Sequence, residues 1–165
     1  MITMKSILKA ILALMFYLAL AAALTLPTQA ETAAYVGQIT GGSNGKFVAT
    51  SHSLTTSGYT DFSVSMGLRQ DGTALGEFTC AIPNFVVLAI IPTGWSLQAD
   101  GSIKVTGTEY GYDPVAGSGF TGTGTVVFRA GGPGVGGFDF ADEVFPPGYY
   151  DTEIVRFGSI DITLN

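Results

Sequence analysis

Beyond about residue 35, apolar and polar side chains alternate along the chain, and no long segment repeats its apolar residues every three or four positions. Period two is the signature of a β-strand with one face buried. Phe62, Val64, Met66 and Leu68 alternate with Ser63, Ser65, Gly67 and Arg69, and Gln70-Asp71-Gly72 follows at once. Asp-Gly supplies the positive φ that tight turns demand, so a hairpin is predicted. Its second strand covers 74–82, with Phe78, Cys80 and Ile82 inward and Glu77 and Thr79 outward. A second hairpin, turning at Ala99-Asp100-Gly101, joins Trp95 and Leu97 to Ile103, Val105 and Gly107. Further strands are predicted at 35–39, 45–53, 122–130, 136–141 and 152–164. In the last of these, Val155 and Phe157 share one parity and Ile160, Ile162 and Leu164 the other. A bulge at Gly158 is predicted to bring all five to one face. Seven to nine short strands with regular turns define an all-β domain, a small antiparallel β-barrel or, as the alternative, a β-sandwich. The barrel is preferred, because a glycine-rich meander bends easily and closure removes exposed edges.

The N-terminal segment breaks this pattern. Lys5 and Lys9 precede an apolar stretch over 10–26, which ends in Pro27-Thr28-Gln29-Ala30. That is the three-part form of a secretory signal cleaved after Ala30. An uncleaved anchor is the alternative, but the stretch falls short of the roughly 20 residues of a spanning helix, and Pro27 interrupts it. Residues 1–30 are therefore read as a signal peptide and 31–165 as a single glycine-rich domain. The expected location is periplasmic or secreted, with no membrane span after cleavage.

Charge narrows the partners. The chain carries seven basic and thirteen acidic side chains, and losing the signal leaves five basic ones, a net charge of about −8. Nucleic acid is a poor partner for such a surface. His52 and Cys80 are the only histidine and cysteine, too few for a tetrahedral zinc site or an internal disulfide. Cys80 falls in register with Ala74, Gly76, Phe78 and Ile82, so it is read as a small core residue.

Four features carry candidate chemistry. Gly117-Ser118-Gly119-Phe120-Thr121-Gly122 matches G-x-G-x-x-G, but it runs into the strand pattern Thr123-Gly124-Thr125-Val126-Val127-Phe128 instead of a helix. The amides that would cradle a pyrophosphate are then missing. Ser51-His52-Ser53 places hydroxyls beside an imidazole, yet neighbours on a strand point to opposite faces, and no G-x-S-x-G elbow exists. Asp139, Asp142, Glu143, Asp151 and Glu153 flank the loop 144–150 and form a candidate calcium site, since calcium takes six to eight oxygen ligands. Solvated surface acids are the alternative, and no other cofactor is implied. Finally, Phe85-Val86-Val87-Leu88-Ala89-Ile90-Ile91 is apolar at both parities and leads to Trp95. It reads as packing, as a partner surface, or as a pocket in which Phe85, Val87, Ala89, Ile91 and Trp95 hold an apolar ligand.

From Gly101 onward the order of features resembles glycine-rich β modules of exported bacterial proteins, including the module that follows choice-of-anchor domains. The resemblance rests on a strand over 101–107, then Gly124-Thr125-Val126-Val127-Phe128-Arg129, the turn over 131–138 and a closing Gly158-Ser159-Ile160-Asp161-Ile162. Gly131-Gly132-Pro133-Gly134 stands where those modules carry Asn and Glu. The resemblance implies an exported, all-β, non-enzymatic module. Together these features predict a binding or structural module for a protein, polysaccharide or surface polymer. The runner-up is a carrier of a small hydrophobic ligand, and the third reading is a barrel enzyme of isomerase or cyclase type.

Overall fold

In the computed structural model the described residues are 33–165, except 52–53, 84–85 and 143–148; side chains at 47, 49–51, 54–56, 142 and 149 are also left out of the description. They form a closed barrel of eight antiparallel strands in chain order: β1 (Tyr35–Ser51), β2 (Leu54–Arg69), β3 (Ala74–Ile82), β4 (Val86–Leu97), β5 (Ile103–Asp113), β6 (Ser118–Arg129), β7 (Gly137–Asp142) and β8 (Tyr149–Leu164). No helix occurs among the described residues. β8 closes the barrel by pairing with β1, Ile39 opposite Ile162 and Val48 opposite Thr152. Closure leaves no unpaired edge.

Alternation sorts the side chains. Inward positions of the strands give Ile39, Phe62, Val64, Met66, Leu68, Phe78, Ile103, Val105, Val126, Phe128, Phe138, Val155 and Ile160, all buried. Four phenylalanines meet edge to face or tilted across the interior: Phe78 lies 4.9 Å from Phe138 and 5.4 Å from Phe128, and Phe62 lies 5.2 Å from Phe138. Outward positions are mainly Ser, Thr and charged residues.

Consecutive antiparallel strands put the turns at two ends. The β2–β3, β4–β5 and β6–β7 connections share one end with both termini of the barrel, here the base; β1–β2, β3–β4, β5–β6 and β7–β8 connect at the other, here the mouth. Base turns follow the sequence reading. The Asp71 carboxylate accepts hydrogen bonds from the Thr73 amide and hydroxyl, and Asp100 does the same for Ser102. These bonds hold both carboxyls below the usual range. Gly72 and Gly101 sit at φ of 82° and 84°. A Cβ on Gly101 would meet nothing within 4 Å. Gly101→Ala is therefore expected to lose about 1 kcal/mol through backbone conformation alone, a fall of a few degrees in Tm readable by calorimetry.

Two irregularities change which way side chains point. In β4 the register slips between Pro92 and Gly94, so Trp95 pairs with inward Val105 while Ile90 pairs with Glu109. In β8 the register against β1 passes from Val155 opposite Gly45 to Phe157 opposite Asn44, leaving Arg156 as the extra residue. The extra residue therefore lies two positions before Gly158, which adopts φ of 82°. Val155 and Ile160 stay inside, but Phe157 is 58% exposed, against the expectation that it shares their face.

Candidate functional site

The interior changes character along the barrel axis. Toward the base it is apolar and is capped by Trp95, whose indole N–H donates to the Arg69 carbonyl at 2.8 Å. Toward the mouth it holds Thr60 of β2, Cys80 of β3, Glu109 of β5, and Asp151 and Glu153 of β8, all buried, with Glu109 and Glu153 fully so.

The strand period explains their position. Asp151 and Glu153 share the parity of Val155 and stand opposite Phe140 and Phe138 of β7, both core residues. Glu109 continues the inward series Ile103, Val105, Gly107. Thr60 continues that of Phe62, and Cys80 that of Phe78. Two glycines make room for the acids. A Cβ on Gly45 would lie 2.5 Å from Glu153 Oε2 and 3.1 Å from Thr60 Oγ1, and one on Gly124 would lie 3.3 Å from Glu109 Oε2.

Glu153 is the centre of the described contacts. The Thr60 hydroxyl donates to its Oε2, and the Cys80 thiol donates to its Oε1 at 3.5 Å. Burial pushes the Glu153 carboxyl up from its ordinary 4.5 to about 7, against the two hydrogen bonds that favour its charged form. Because a hydroxyl both donates and accepts, Thr60 serves either protonation state. Burial, reinforced by the nearby charges of Glu153 and Asp151, pushes the Cys80 thiol well above its ordinary value. The thiol is thus a weak donor and packing group, not a nucleophile.

The other predicted site residues are distributed differently. Val86, Leu88 and Ile90 belong to the core. Val87, Ala89 and Ile91, at the opposite parity, point to the outer face, where Ala89 is buried between its strand neighbours Thr79 and Tyr110. Trp95 reaches the interior through the slip after Pro92, but at the base. Phe85 lies outside the described residues. The expected pocket over 85–95 is therefore not assembled from its described members. The described acids of the calcium expectation do not share one face. Asp139 stands opposite Thr152 and faces outward, where Arg129 forks onto it at 2.5 and 3.1 Å, whereas Asp151 and Glu153 face inward. The Asp142 side chain and Glu143 lie outside the described residues, as does His52. Among the described residues no three His, Cys, Asp or Glu side chains are grouped to hold a metal. Ser118–Arg129 is a strand, as the G-x-G-x-x-G reading required.

Parity could have found the inner acids in the sequence. Extending the Val155 series two steps back reaches Glu153 and Asp151, and extending Ile103, Val105, Gly107 one step reaches Glu109. A groove of about 520 Å³ near the base, lined by Tyr35, Gln38, Ser65, Gly67, Thr163 and Asn165, offers no comparable set of titratable groups.

Fold and interior together define a closed antiparallel β-barrel with an acid-lined upper interior. Comparison with family models, curated proteins and solved structures finds no match to this chain.

Proposed function

We propose that the chain is an exported small-molecule-binding barrel whose ligand site is the acid-lined upper interior, where Glu153 meets the ligand as a neutral carboxyl. The observation that carries this is the burial of three carboxyls in the upper interior. The lower interior is apolar, whereas in the upper one Glu109, Asp151 and Glu153 share the space with Ile82, Val86, Leu88 and Phe140. Each carboxyl costs several kcal/mol to bury in ionised form. A buried carboxyl with a raised pKa, as at Glu153, inside a barrel mouth marks where a ligand site is expected.

A carboxyl titrating near 7 keeps its proton below neutrality and presents an O–H to a carbonyl, ether or epoxide oxygen of a largely apolar ligand. If it gives that proton to one ligand atom and recovers one from another, the ligand is rearranged without change of composition. That is chemistry of the isomerase or cyclase type, with Glu153 as the acid. A carrier uses the same contacts without the transfer. The reading of a non-enzymatic module for a protein or polysaccharide partner draws on a separate observation, the outer face described below.

Native mass spectrometry of the chain purified from its own source tests the proposal. An organic mass released on denaturation is expected at about pH 6, and it is reduced severalfold at about pH 8 and in Glu153→Ala, while Glu153→Gln, which keeps a donor, retains it. The absence of any organic mass at both pH values overturns the reading.

A further inference from the structure

The outer wall formed by β2, β1 and β8 is unlike the rest of the surface. Register places Tyr59, Lys46 and Ile154 side by side across the three strands, and Ser57, Val48 and Thr152 in the next row. Tyr59, Val48, Ile154, Phe157 and, further along β8, Tyr150 are 46–58% exposed. The bulge in β8 turns Arg156 and Phe157 to the same side. There the Arg156 guanidinium stacks over the Tyr59 ring at 4.4 Å and lies 5.2 Å from the Phe157 ring. Among the described residues neither Lys46 nor Arg156 is in an ion pair. In a chain with almost twice as many acids as bases, two cations are thus set among exposed aromatic rings, and the acid of the adjoining row, Asp61, accepts a hydrogen bond from the Asn44 amide.

We infer that this wall is a docking surface for an anionic polysaccharide, one that carries carboxylates on its sugar rings. Stacking fixes the guanidinium plane, so its N–H edge is pre-oriented for a bidentate carboxylate contact. Rings such as Tyr59 and Phe157 offer broad apolar faces at low entropic cost, suited to the C–H face of a sugar. Ser57 and Thr152 interleave with them and match sugar hydroxyls. The same interleaving disfavours a lipid surface, which rewards a continuous apolar face. A symmetric contact between two copies centred here would set Lys46 and Arg156 against their own counterparts, which like-charge repulsion opposes. The inference does not rest on the interior site.

Binding of the purified chain to polygalacturonate, with neutral dextran and anionic phospholipid vesicles in parallel, decides it. Retention on polygalacturonate alone is expected, weakening as salt rises. Arg156→Ala and Tyr59→Ala each lose about tenfold in affinity, and Arg156→Lys recovers only part because the fork is gone. Circular dichroism checks that the variants fold, and Glu153→Gln, which alters the interior, leaves this binding unchanged. Polygalacturonate binding no stronger than dextran binding, binding indifferent to both substitutions, preference for the vesicles, or dimerisation through this face would each overturn the inference.

Discussion

Raising the pH from about 4.5 to about 7.5 is expected to cost the barrel about 3 kcal/mol of stability through Glu153, and Glu153→Gln is expected to remove that share of the slope. In the unfolded chain the Glu153 carboxyl releases its proton near 4.5; in the barrel it holds the proton to about 7. Between those values the folded state binds more protons than the unfolded state, so stability falls as pH rises, by about 1.4 kcal/mol per pH unit while the difference lasts. Below the window both states are protonated and nothing is lost; above it both are ionised and the full cost stands. The groups set around Glu153 are the Thr60 hydroxyl on β2, the Cys80 thiol on β3 and the Asp151 carboxyl on its own strand. The raised thiol adds a further loss only above about pH 9, where Cys80 would ionise in the unfolded chain first. Asp71 and Asp100, held below the usual range, act in the opposite sense, but only below about pH 4. Maximum stability is thus expected near pH 4 to 5. Urea unfolding at constant m across this range measures it. Equal midpoints at both ends of the window, in a wild-type chain that unfolds in one step, would show that Glu153 is not held neutral.

The largest single loss is expected at Phe78. Its side chain is fully buried and meets Phe128 and Phe138 edge to face at 5.4 and 4.9 Å with ring planes 75° and 74° apart. Phe78→Ala removes the ring from the centre of the lower interior, and a closed barrel cannot collapse on the cavity without breaking ladder hydrogen bonds. A loss of about 4 kcal/mol follows from large-to-small core replacements, the two ring pairs included. Phe157→Ala is the control, since that ring is exposed and its loss should stay within about 0.5 kcal/mol. Thermal or urea unfolding of the pair measures both. Similar losses would mean that the aromatic cluster is not what holds the lower barrel.

Much of the barrel was legible because each strand carries its own period. The hairpin turning at Gly72, the hairpin turning at Gly101 and the inward series Phe62 to Leu68 needed only local alternation and turn chemistry. The inward reading of Cys80 came the same way, from Phe78 and Ile82 on either side of it. The choice of barrel over sandwich rested on glycine content and edge avoidance, and the pairing of β8 with β1 bears it out. Reading failed where alternation is interrupted. Residues 85–91 are apolar at both parities, so nothing local says that Val86, Leu88 and Ile90 are the inner set. The slip after Pro92 then makes Trp95 agree with them and not with Val87, Ala89 and Ile91. The bulge was inferred at Gly158 because glycine is the usual mark of one, whereas the extra residue is Arg156.

The sequence by itself determined the strands, most of their inward faces and the turns, since these depend on side chains two to four positions apart. It also set the acidity of the chain and the shortage of soft metal ligands. Only the tertiary structure decided that Asp151 and Glu153, which read as loop-flanking acids, enter the barrel beside Thr60 and Cys80 while Asp139 stays outside with Arg129. It likewise gathered Tyr59, Lys46, Ile154 and Arg156 on one wall. These groupings depend on register between strands far apart in the chain, as in the contact of Thr60 with Glu153 across 93 positions and the pairing of Lys46 with Ile154. Register is a property of the closed sheet, in which every strand's offset must agree with all the others before the ring can meet itself.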